Sequence, residues 1–440
     1  MSPFPDDAVA IWSAGVDAVR AWPLLSAAWS ELSPLIRYEI DAAPRLFVVG
    51  AGKAGAAMAA ELERILQPRL DRVVGLVNVP AGTTRPLARI RLHAARPSGS
   101  NYPTAAGVAG GEEMLSLLSS AGPDDVALCL LSGGGSALLP VPPPGLTLGD
   151  KQTVTKLLHA SGATIREMNL VRKHLSRVKG GQLAGCFHGK RLLSLIISDV
   201  VGDPLDVIAS GPTAPDPTTF ADALAVLDRF KLKERVPVSV LDHLLAGERG
   251  EVAETPKSLP PNATNVVIGS NATALAAARS AAENRGYRVF DLGPYVEGET
   301  REVAVALAGV VKSIRNRNEP VTPPVCILIG GETTVTLGPN PGKGGRNQEF
   351  VLALAEKLGI EEIRDICVLS GGTDGEDGPT DAAGAWATTE TLTRAAALGL
   401  DPGEFLRRHD AYPFFDATNC LLRTGLTETN VMDLRVILIR

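Results

Sequence analysis

Residues 46–60 read LFVVGAGKAGAAMAA, and this stretch says most about the fold. Its opening run is short, apolar and rich in Val, which is typical of a strand buried on both faces of a parallel sheet. Gly50, Gly52 and Gly55 then follow with the GxGxxG spacing of dinucleotide-binding turns. In such a turn the following helix directs free N–H groups at a phosphate. The alternative is a tight turn with a purely structural purpose.

The same order of apolar run, glycine-rich turn and amphipathic segment recurs along the chain. The runs occupy residues 46–50, 126–131, 192–197, 266–268, 325–329 and 366–369. Strands that alternate with helices predict an α/β fold with doubly wound parallel sheets. Two polar segments rich in Pro or Gly, residues 246–265 and 315–324, predict the joints between domains. We predict an N-terminal domain with a helical lead-in, a connecting segment with one strand–helix unit and a smaller C-terminal domain, over residues 1–245 (lead-in 1–42), 246–323 and 324–440.

The composition favours a globular protein with a small-molecule substrate. Of 440 residues, 45% are hydrophobic and 21% charged, and the formal net charge is −6. A mildly acidic chain is a poor match for nucleic acid, so an anionic substrate would need a local basic pocket. The uncharged stretch 126–149 contains too many Gly and Pro residues for a membrane helix.

The termini and cysteines predict a cytoplasmic protein. The N-terminus has Asp6 and Asp7 and no basic flank, unlike a signal peptide. The five cysteines form no CxxC pair, and Cys129, Cys326 and Cys367 lie in apolar runs. Buried thiols in a reducing compartment are the simplest interpretation. The sequence leaves the oligomeric state open.

Lys53 distinguishes the first turn from an ordinary dinucleotide site. Its positive charge at the start of a helix suits a highly charged phosphate group. The next apolar run, 73–79, ends at Pro80 with no carboxylate at its tip. Asp71 precedes that run, so it is badly placed to bind the ribose of NAD.

A second turn, LLSGGGSALL, spans residues 130–139. Ser132, Gly133, Gly134, Gly135 and Ser136 offer successive N–H groups and two hydroxyls. Such a run forms a nest for an anion, and we predict that it holds nucleotide phosphates. The alternative is a flexible hinge without a ligand.

The densest basic cluster lies within MNLVRKHLSRVKGGQLA, residues 168–184. Arg172 and Lys179 are seven residues apart, which predicts one shared helix face. We predict that these two bind the anionic substrate, although a solvated helix face is an equal alternative. His174 is interpreted as a structural histidine.

Asp199 and Arg346 are candidate catalytic residues. Asp199 follows an apolar run, at the strand end where ligands gather in α/β sheets, and would act as a base or reach a metal. Arg346 begins a predicted helix capped by Asn347. A cation there opposes the helix macrodipole, which favours an anion bound between them over a simple surface arginine.

An acidic, glycine-rich loop follows the run 366–369. It contains Asp374, Glu376, Asp377 and Asp381. Hard oxygen ligands of this kind suit Mg²⁺ bridged to nucleotide phosphates, and we predict Asp374 and Asp377 as the metal ligands. Ordinary Asp-Gly turns are the alternative.

Eight segments occur in the order found in glycerate 2-kinases of the MOFRL type, and the chain resembles this family from about residue 43 onward. They are GAGKAG, LLSGGGSALLP, MNLVRKHLSRVKGGQLA, SDVVGDPLDVIASGPTAPDPTT, GGETTVTL, GKGGRNQE, GGTDGEDGPTDAAG and RTGLTETNVMDLRV. Some members carry the name hydroxypyruvate reductase. Two segments depart from the family pattern: AARPSGSNYP replaces a usual Gly-His-Pro-x-Pro, and Leu426 and Glu428 interrupt a usual TGPTGTN.

The resemblance implies a Rossmann-like N-terminal lobe, a separate α/β C-terminal lobe and an active site in the cleft between them. It implies transfer of the γ-phosphate of ATP to the 2-hydroxyl of D-glycerate with a divalent metal. The family's cleft lysine and arginine fall on Lys53 and Arg346. We expect these to act on the transferring phosphoryl group and the substrate carboxylate, in either order.

Two other functions remain as alternatives from the residues. An NAD(P)H-dependent hydroxypyruvate reductase would use the GxGxxG turn, but it has no need of the acidic loop. A non-catalytic sensor of phosphorylated metabolites would use the same anion-binding turns and leave Asp374 without a task.

Overall fold

The computed structural model of the chain describes residues 4–97 and 102–440. Its strands are β1 (Leu46–Ala51), β2 (Val73–Pro80), β3 (Ile90–Arg96), β4 (Val126–Leu131), β5 (Arg191–Ile197), β6 (Ala263–Gly269), β7 (Arg288–Asp291), β8 (Val296–Glu299), β9 (Val325–Thr334), β10 (Ile366–Gly372), β11 (Gly384–Ala387), β12 (Leu421–Leu422) and β13 (Asp433–Ile439). All six apolar runs that the sequence singled out lie within strands.

Helices precede the first strand and then alternate with strands. They are α1 (Phe4–Ala18), α2 (Ala21–Glu31), α3 (Pro34–Ala42), α4 (Gly55–Ile65), α5 (Ala105–Ser119), α6 (Gly135–Leu138), α7 (Leu148–Ala160), α8 (Ile165–His174), α9 (Gln182–Gly185), α10 (Phe220–Arg229), α11 (Val238–Glu248), α12 (Asn271–Glu283), α13 (Thr300–Arg317), α14 (Arg346–Glu362), α15 (Thr389–Ala397), α16 (Pro402–Arg407) and α17 (Ala411–Ala417). No helix in the described part of the chain is long and apolar enough to cross a membrane.

The chain folds into two compact units. The larger unit is Ala21–Ile268, and the smaller unit joins Gly269–Arg440 to the described residues up to Arg20. These limits differ from the predicted domain boundaries, because the Pro- and Gly-rich segment 246–265 is the end of α11, a loop and the start of β6, all within the larger unit. The second polar segment, 315–324, lies inside the smaller unit. A segment rich in Pro and Gly predicts a loop, but the packing of the flanking elements determines whether that loop connects two separate units.

The larger unit contains a six-stranded sheet with the order β3-β2-β1-β4-β5-β6. The β3/β2, β2/β1, β1/β4 and β4/β5 pairs are parallel. From β1 the chain first builds outward on one side and then crosses back to place β4 on the other. Ligands bind outside the carboxyl ends of the strands at such a switch point. The turns that follow β1 and β4 therefore occupy the expected binding edge.

The smaller unit contains a mixed sheet, which corrects the expectation of a parallel one. Its order is β12-β11-β10-β13-β9-β7, with β8 also paired to β9. Strand β13 is antiparallel to both β9 and β10. Alternate residues of β9 pack on opposite faces: Val325 and Ile327 with α13 and α14, and Cys326 and Leu328 with α1 and α12. Burial on both faces produces a continuous apolar run whatever the strand direction, so the run does not reveal direction.

Candidate active site

The two glycine-rich turns of the larger unit lie against each other. Strands β1 and β4 pair in parallel, so their following turns meet at one edge. The Lys53 N–H donates to the Gly133 carbonyl at 2.8 Å, and the Ala54 N–H donates to Ser132 Oγ at 3.0 Å. The Ser132 N–H donates in turn to the Ala51 carbonyl at 3.2 Å. The two turns thus form one hydrogen-bonded structure.

The glycine spacing of the first turn is set by neighbouring strands. A Cβ atom on Gly52 would lie 1.9 Å from Ser132 Oγ, and one on Gly50 would lie 2.0 Å from the Leu130 carbonyl oxygen. A Cβ atom on Gly55 would lie 3.0 Å from a methyl carbon of Val77. Close approach to the second turn and to β2 therefore requires these glycines, independently of any phosphate.

Lys53 and Arg96 converge on the second turn. A Cβ atom on Gly134 would lie 3.5 Å from Cγ of Lys53 and 3.1 Å from Nη2 of Arg96. Arg96 ends β3 and is only 3% exposed. It stands in the departing segment AARPSGSNYP, in which sequence reasoning assigned it no role. Residues 98–101 of that segment lie outside the described residues.

Ser136 is the meeting point of two basic side chains. Its Oγ accepts hydrogen bonds from Arg172 Nη2 at 2.5 Å and Lys179 Nζ at 2.8 Å, and it lies 2.9 Å from Ser210 Oγ. Ser210 Oγ lies 3.2 Å from Asn169 Oδ1, to which it donates. The Ser136 proton is therefore directed to Ser210, which leaves the oxygen to face the two cations.

The shared helix face predicted for Arg172 and Lys179 is wrong. Helix α8 ends at His174, so Lys179 lies beyond it in the turn before α9. The chain folds back there and brings both side chains to Ser136. Lys173 instead forms ion pairs with two aspartates, and His174 is buried with partners at both ring nitrogens, in keeping with a structural role.

Lys151 adds a third basic side chain, buried like Lys179, that sequence reasoning missed. It extends from α7, is 7% exposed and donates to the Val141 carbonyl at 3.3 Å. In the described part of the chain, Lys151, Arg172 and Lys179 hydrogen bond only to uncharged oxygens. The sequence around Lys151, GDKQT, resembles the start of an ordinary exposed helix, so no local pattern indicates that Lys151 is buried.

The three cations influence one another. Burial, with the nearby charge of Arg172, lowers the pKa of Lys151 to about 7. Burial and the charges of Arg172 and Lys151 hold the pKa of Lys179 well below its usual range. Together they line a cavity of about 410 Å³. An anion in this cavity would relieve their mutual repulsion.

Asp199 lies just beyond β5, at the same edge of the sheet as the two glycine-rich turns. Strand β5 pairs in parallel with β4, so its carboxyl end lies beside the turn at Ser132. The residue is partly exposed, whereas the preceding Ser198 is buried. The role of Asp199 as a base stays a prediction.

Arg346 begins α14 in the smaller unit, where the sequence placed it. Its Nε donates to Asp433 Oδ2 at 2.7 Å, and Nη2 lies 3.1 Å from Glu332 Oε1. Burial alone would lower the pKa of Arg346, but the charges of Asp433 and Glu332 outweigh it and raise that pKa. The anions that balance this cation are thus supplied by the protein, so its position does not by itself require a bound ligand.

Asp377 caps α14. One carboxylate oxygen accepts from the Asn347 N–H at 3.0 Å, and the other accepts from the Gln348 N–H at 2.8 Å. The first helical residue is Arg346, after Gly345, so Asn347 is not the cap that the sequence suggested. Burial raises the pKa of Asp377 to about 6.

Asp374 lies in the turn after β10 and is partly exposed. Its Oδ1 accepts from the Glu376 N–H at 3.1 Å. Within residues 4–97 and 102–440, no group of three or more His, Cys, Asp or Glu side chains is placed to hold a metal ion. The roles of Asp374 and Asp377 as metal ligands stay predictions.

Asp433 is a second residue that sequence reasoning did not assign. It is fully buried at the start of β13 and accepts from Arg346, Asn347 and Arg435. Burial alone would raise the pKa of Asp433, but the charges of Arg346 and Arg435 hold it below the usual range. The segment NVMDLRV indicates an apolar strand. It gives no sign that its aspartate orients an arginine 87 residues away in the sequence.

Two family models match the chain. The model DUF4147, described as a domain of unknown function, matches residues 7–245. The model of the MOFRL family matches residues 325–433.

Individual relatives match across most of their length. The glycerate 2-kinase of Pyrococcus horikoshii is 40% identical over 393 residues, which cover 89% of this chain and 87% of that protein. A relative from Agrobacterium vitis, named a putative hydroxypyruvate reductase, is 43% identical over 397 residues, which cover 90% of this chain and 87% of that protein. The crystal structure of glycerate kinase from Thermotoga maritima matches with a TM-score of 0.86 and 34% identity, covering 99% of each chain. The chain therefore belongs to the glycerate 2-kinase family of the MOFRL type.

Proposed function

We propose that this protein transfers the γ-phosphoryl group of ATP to the 2-hydroxyl of D-glycerate and releases 2-phosphoglycerate. One observation carries the proposal: beside two glycine-rich turns at the carboxyl edge of a parallel sheet lie three clustered basic side chains, two of them buried, that hydrogen bond only to uncharged oxygens within the described residues. Phosphoryl transfer depends on positioning and charge neutralisation more than on covalent chemistry, and this arrangement is suited to both.

The larger unit is proposed to hold the anionic ligands in a Rossmann-like manner. The backbone N–H groups of Ser132–Ser136 would hold phosphates, with Gly50, Gly52 and Gly55 permitting close packing of the first turn. Arg172 and Lys179 would bind a substrate anion. Lys53, near Gly134, would stabilise the transferring phosphoryl group or the substrate carboxylate.

Arg346 is proposed to act with Lys53, each serving one of those two anionic groups. Asp433 and Glu332 fix the direction of its guanidinium through Nε and Nη2. Asp199 would accept the proton of the 2-hydroxyl. The cleft between lobes that the family resemblance implies stays a prediction.

Magnesium fits these residues only in part. Mg²⁺ is commonly held by one or two carboxylates together with substrate phosphates. Asp374 is partly exposed and meets that description, whereas both oxygens of Asp377 are already engaged by the helix it caps. We propose that Mg²⁺ arrives with the nucleotide, where it would neutralise phosphate charge, and that Asp374 is its protein ligand.

The reductase alternative gains nothing from the geometry. Strand β2 ends at Pro80, and Asp71 lies in a short 3₁₀ segment before that strand. Within the described residues, β2 therefore carries no carboxylate at its tip, where NAD-binding sheets hold the ribose.

The test is a pair of assays on one purified sample. The first offers ATP, Mg²⁺ and D-glycerate and follows ADP; the second offers NADH or NADPH with hydroxypyruvate and follows absorbance. ADP release that requires both glycerate and Mg²⁺ is expected, with 2-phosphoglycerate as the product by ³¹P NMR. Cofactor oxidation without ADP release would overturn the proposal.

A further inference from the structure

One helix supplies much of the lining of the cavity beside Ser136. Five of its lining residues come from α7, at positions 151, 152, 155, 156 and 159. Positions 151 and 159 are eight residue steps apart, which at about 1.5 Å per step is roughly 12 Å along the helix. The volume of about 410 Å³ falls within the range of about 300–1,000 Å³ that is typical of sites for drug-sized ligands. A three-carbon acid would leave most of this space empty.

The two ends of the cavity differ in chemistry. At the inner end, buried Lys151 accompanies Arg172 and Lys179 around Ser136. At the outer end stands Tyr102, which is 61% exposed and has Lys156 Nζ 5.9 Å from its ring centroid. Pro103 and Pro140 also line the cavity. A ligand with a polyanionic end and a flat apolar end would complement both.

We propose that this cavity is the adenine nucleotide pocket, in which Lys151, Arg172 and Lys179 bind the phosphates and Tyr102 packs against the base. The inference deepens the proposed kinase function and rests on it. It assigns Arg172 and Lys179 to the nucleotide rather than to the acid, and it adds Lys151 as a phosphate-binding residue.

The number of cations decides between the two substrates. When protonated, the three clustered basic side chains, which have no carboxylate partner among the described residues, can balance more negative charge than the single carboxylate of glycerate supplies. A di- or triphosphate supplies enough, and charge-assisted hydrogen bonds to phosphate oxygens are among the strongest in proteins. The flat outer end would have no partner in glycerate.

The test measures binding without turnover. ADP binding with Mg²⁺ is measured by calorimetry for the wild-type protein, Lys151→Met, Tyr102→Ala and the matched control Lys233→Met, whose lysine is partly exposed and pairs with Asp228. Lys151→Met is expected to weaken ADP binding about ten- to hundredfold, the range for a lost hydrogen bond to a charged group. The KM for D-glycerate should change less than about twofold. Lys233→Met should match the wild type.

Inorganic pyrophosphate separates the two ends of the cavity. Tyr102→Ala should weaken ADP binding but leave pyrophosphate binding unchanged, whereas Lys151→Met should weaken both. Because Tyr102 is exposed, its variant keeps the test available if Lys151→Met fails to fold. A raised KM for glycerate with unchanged ADP affinity would overturn the proposal, as would unchanged ADP affinity in both variants.

These outcomes are distinct from failure of the kinase proposal. If the wild type binds ADP through Lys151 but does not phosphorylate glycerate, the pocket stands and the proposed reaction fails. If the wild type phosphorylates glycerate but the ADP affinity is unchanged in Lys151→Met and Tyr102→Ala, the proposed reaction stands and the pocket assignment fails.

Discussion

Arg346 and the cations around Ser136 differ in how their charges are balanced. Arg346 lies between the carboxylates of Asp433 and Glu332. Arg172 and Lys179 have only uncharged oxygen partners in the described part of the chain. Removing an unpaired charge from water costs free energy, and such charges are found most often where a bound ligand balances them. This difference favours the larger unit as the proposed anion-binding site, with Arg346 proposed as an oriented group that acts on an anion.

Lys53→Ala is expected to reduce kcat about 10³- to 10⁵-fold, because charged groups that stabilise a transferring phosphoryl have effects of that size. The measurement is steady-state ADP release with D-glycerate. Lys190→Ala is the matched control, since that lysine is exposed, and it should retain full activity. Near-normal turnover in a folded Lys53→Ala protein would contradict the assigned role.

The affinity for ADP is expected to fall as the pH rises through about 7. Burial and the charge of Arg172 lower the pKa of Lys151 to about 7, so the free protein loses this positive charge above that pH. An anion prefers the charged form, so binding is strongest below the pKa and weakens above it.

Calorimetric measurement of ADP affinity between about pH 6 and pH 9 checks this prediction. Lys151→Met is the reference, because protonation of ADP itself affects its binding to both proteins equally. The ratio of the ADP affinity of the wild type to that of Lys151→Met should decrease with rising pH. A ratio that stays constant over the whole range would show that Lys151 does not titrate in it.

At the scale of elements, the site depends on how two strand-to-helix turns pack. The turn after β1 is hydrogen bonded to the turn after β4, and glycine at positions 50 and 52 allows the contact. Glycines in a phosphate-binding motif are usually explained by the ligand. Here the neighbouring backbone already excludes a side chain at Gly50 and Gly52.

Gly52→Ala is expected to destabilise the protein by about 1–3 kcal/mol, the usual cost of overpacking, because its Cβ would clash with Ser132. Activity should fall as well, since the second turn must shift. Gly309→Ala is the control: this exposed glycine in α13 has no heavy atom within 4 Å of the added Cβ. Denaturant unfolding should show it unchanged or stabilised by up to about 1 kcal/mol. Equal stabilities of the two variants would contradict the packing argument.

At the scale of the whole molecule, the N-terminal helix does not belong with the sheet that follows it in sequence. Helix α1 packs with α12 and with one face of the mixed sheet. Trp12 is 2% exposed there, and its indole N–H donates to the Gly371 carbonyl at 3.2 Å. The smaller unit is therefore assembled from both ends of the chain.

Trp12→Ala is expected to destabilise the smaller unit by about 3–5 kcal/mol, the typical cost of removing a buried large aromatic side chain. Hydrogen exchange with mass spectrometry should show faster exchange in peptides from 269–440 and little change in those from 21–268. Trp22→Ala is the matched control, because Trp22 is 61% exposed, and it should exchange like the wild type. Faster exchange confined to 21–268 would contradict this assignment of α1.

Much of the architecture was predictable from local sequence. Six apolar runs marked six strands, because burial on both faces leaves an unbroken apolar pattern. The family resemblance is confirmed by matches that cover nearly nine-tenths of the chain. The turns at Gly50–Gly55 and Ser132–Ser136 were identifiable because glycine and serine have local conformational and hydrogen-bonding roles.

Only the tertiary structure decided which distant groups share a site. Lys151 and Arg96 look like ordinary surface residues in the sequence, and only folding buries them beside the second turn. The carboxylates that balance Arg346, the capping role of Asp377, the strand directions of the mixed sheet and the placement of α1 were equally hidden. The reason is physical: local sequence determines periodicity and turn geometry, whereas burial, charge balance and pairing direction depend on residues far away in the chain.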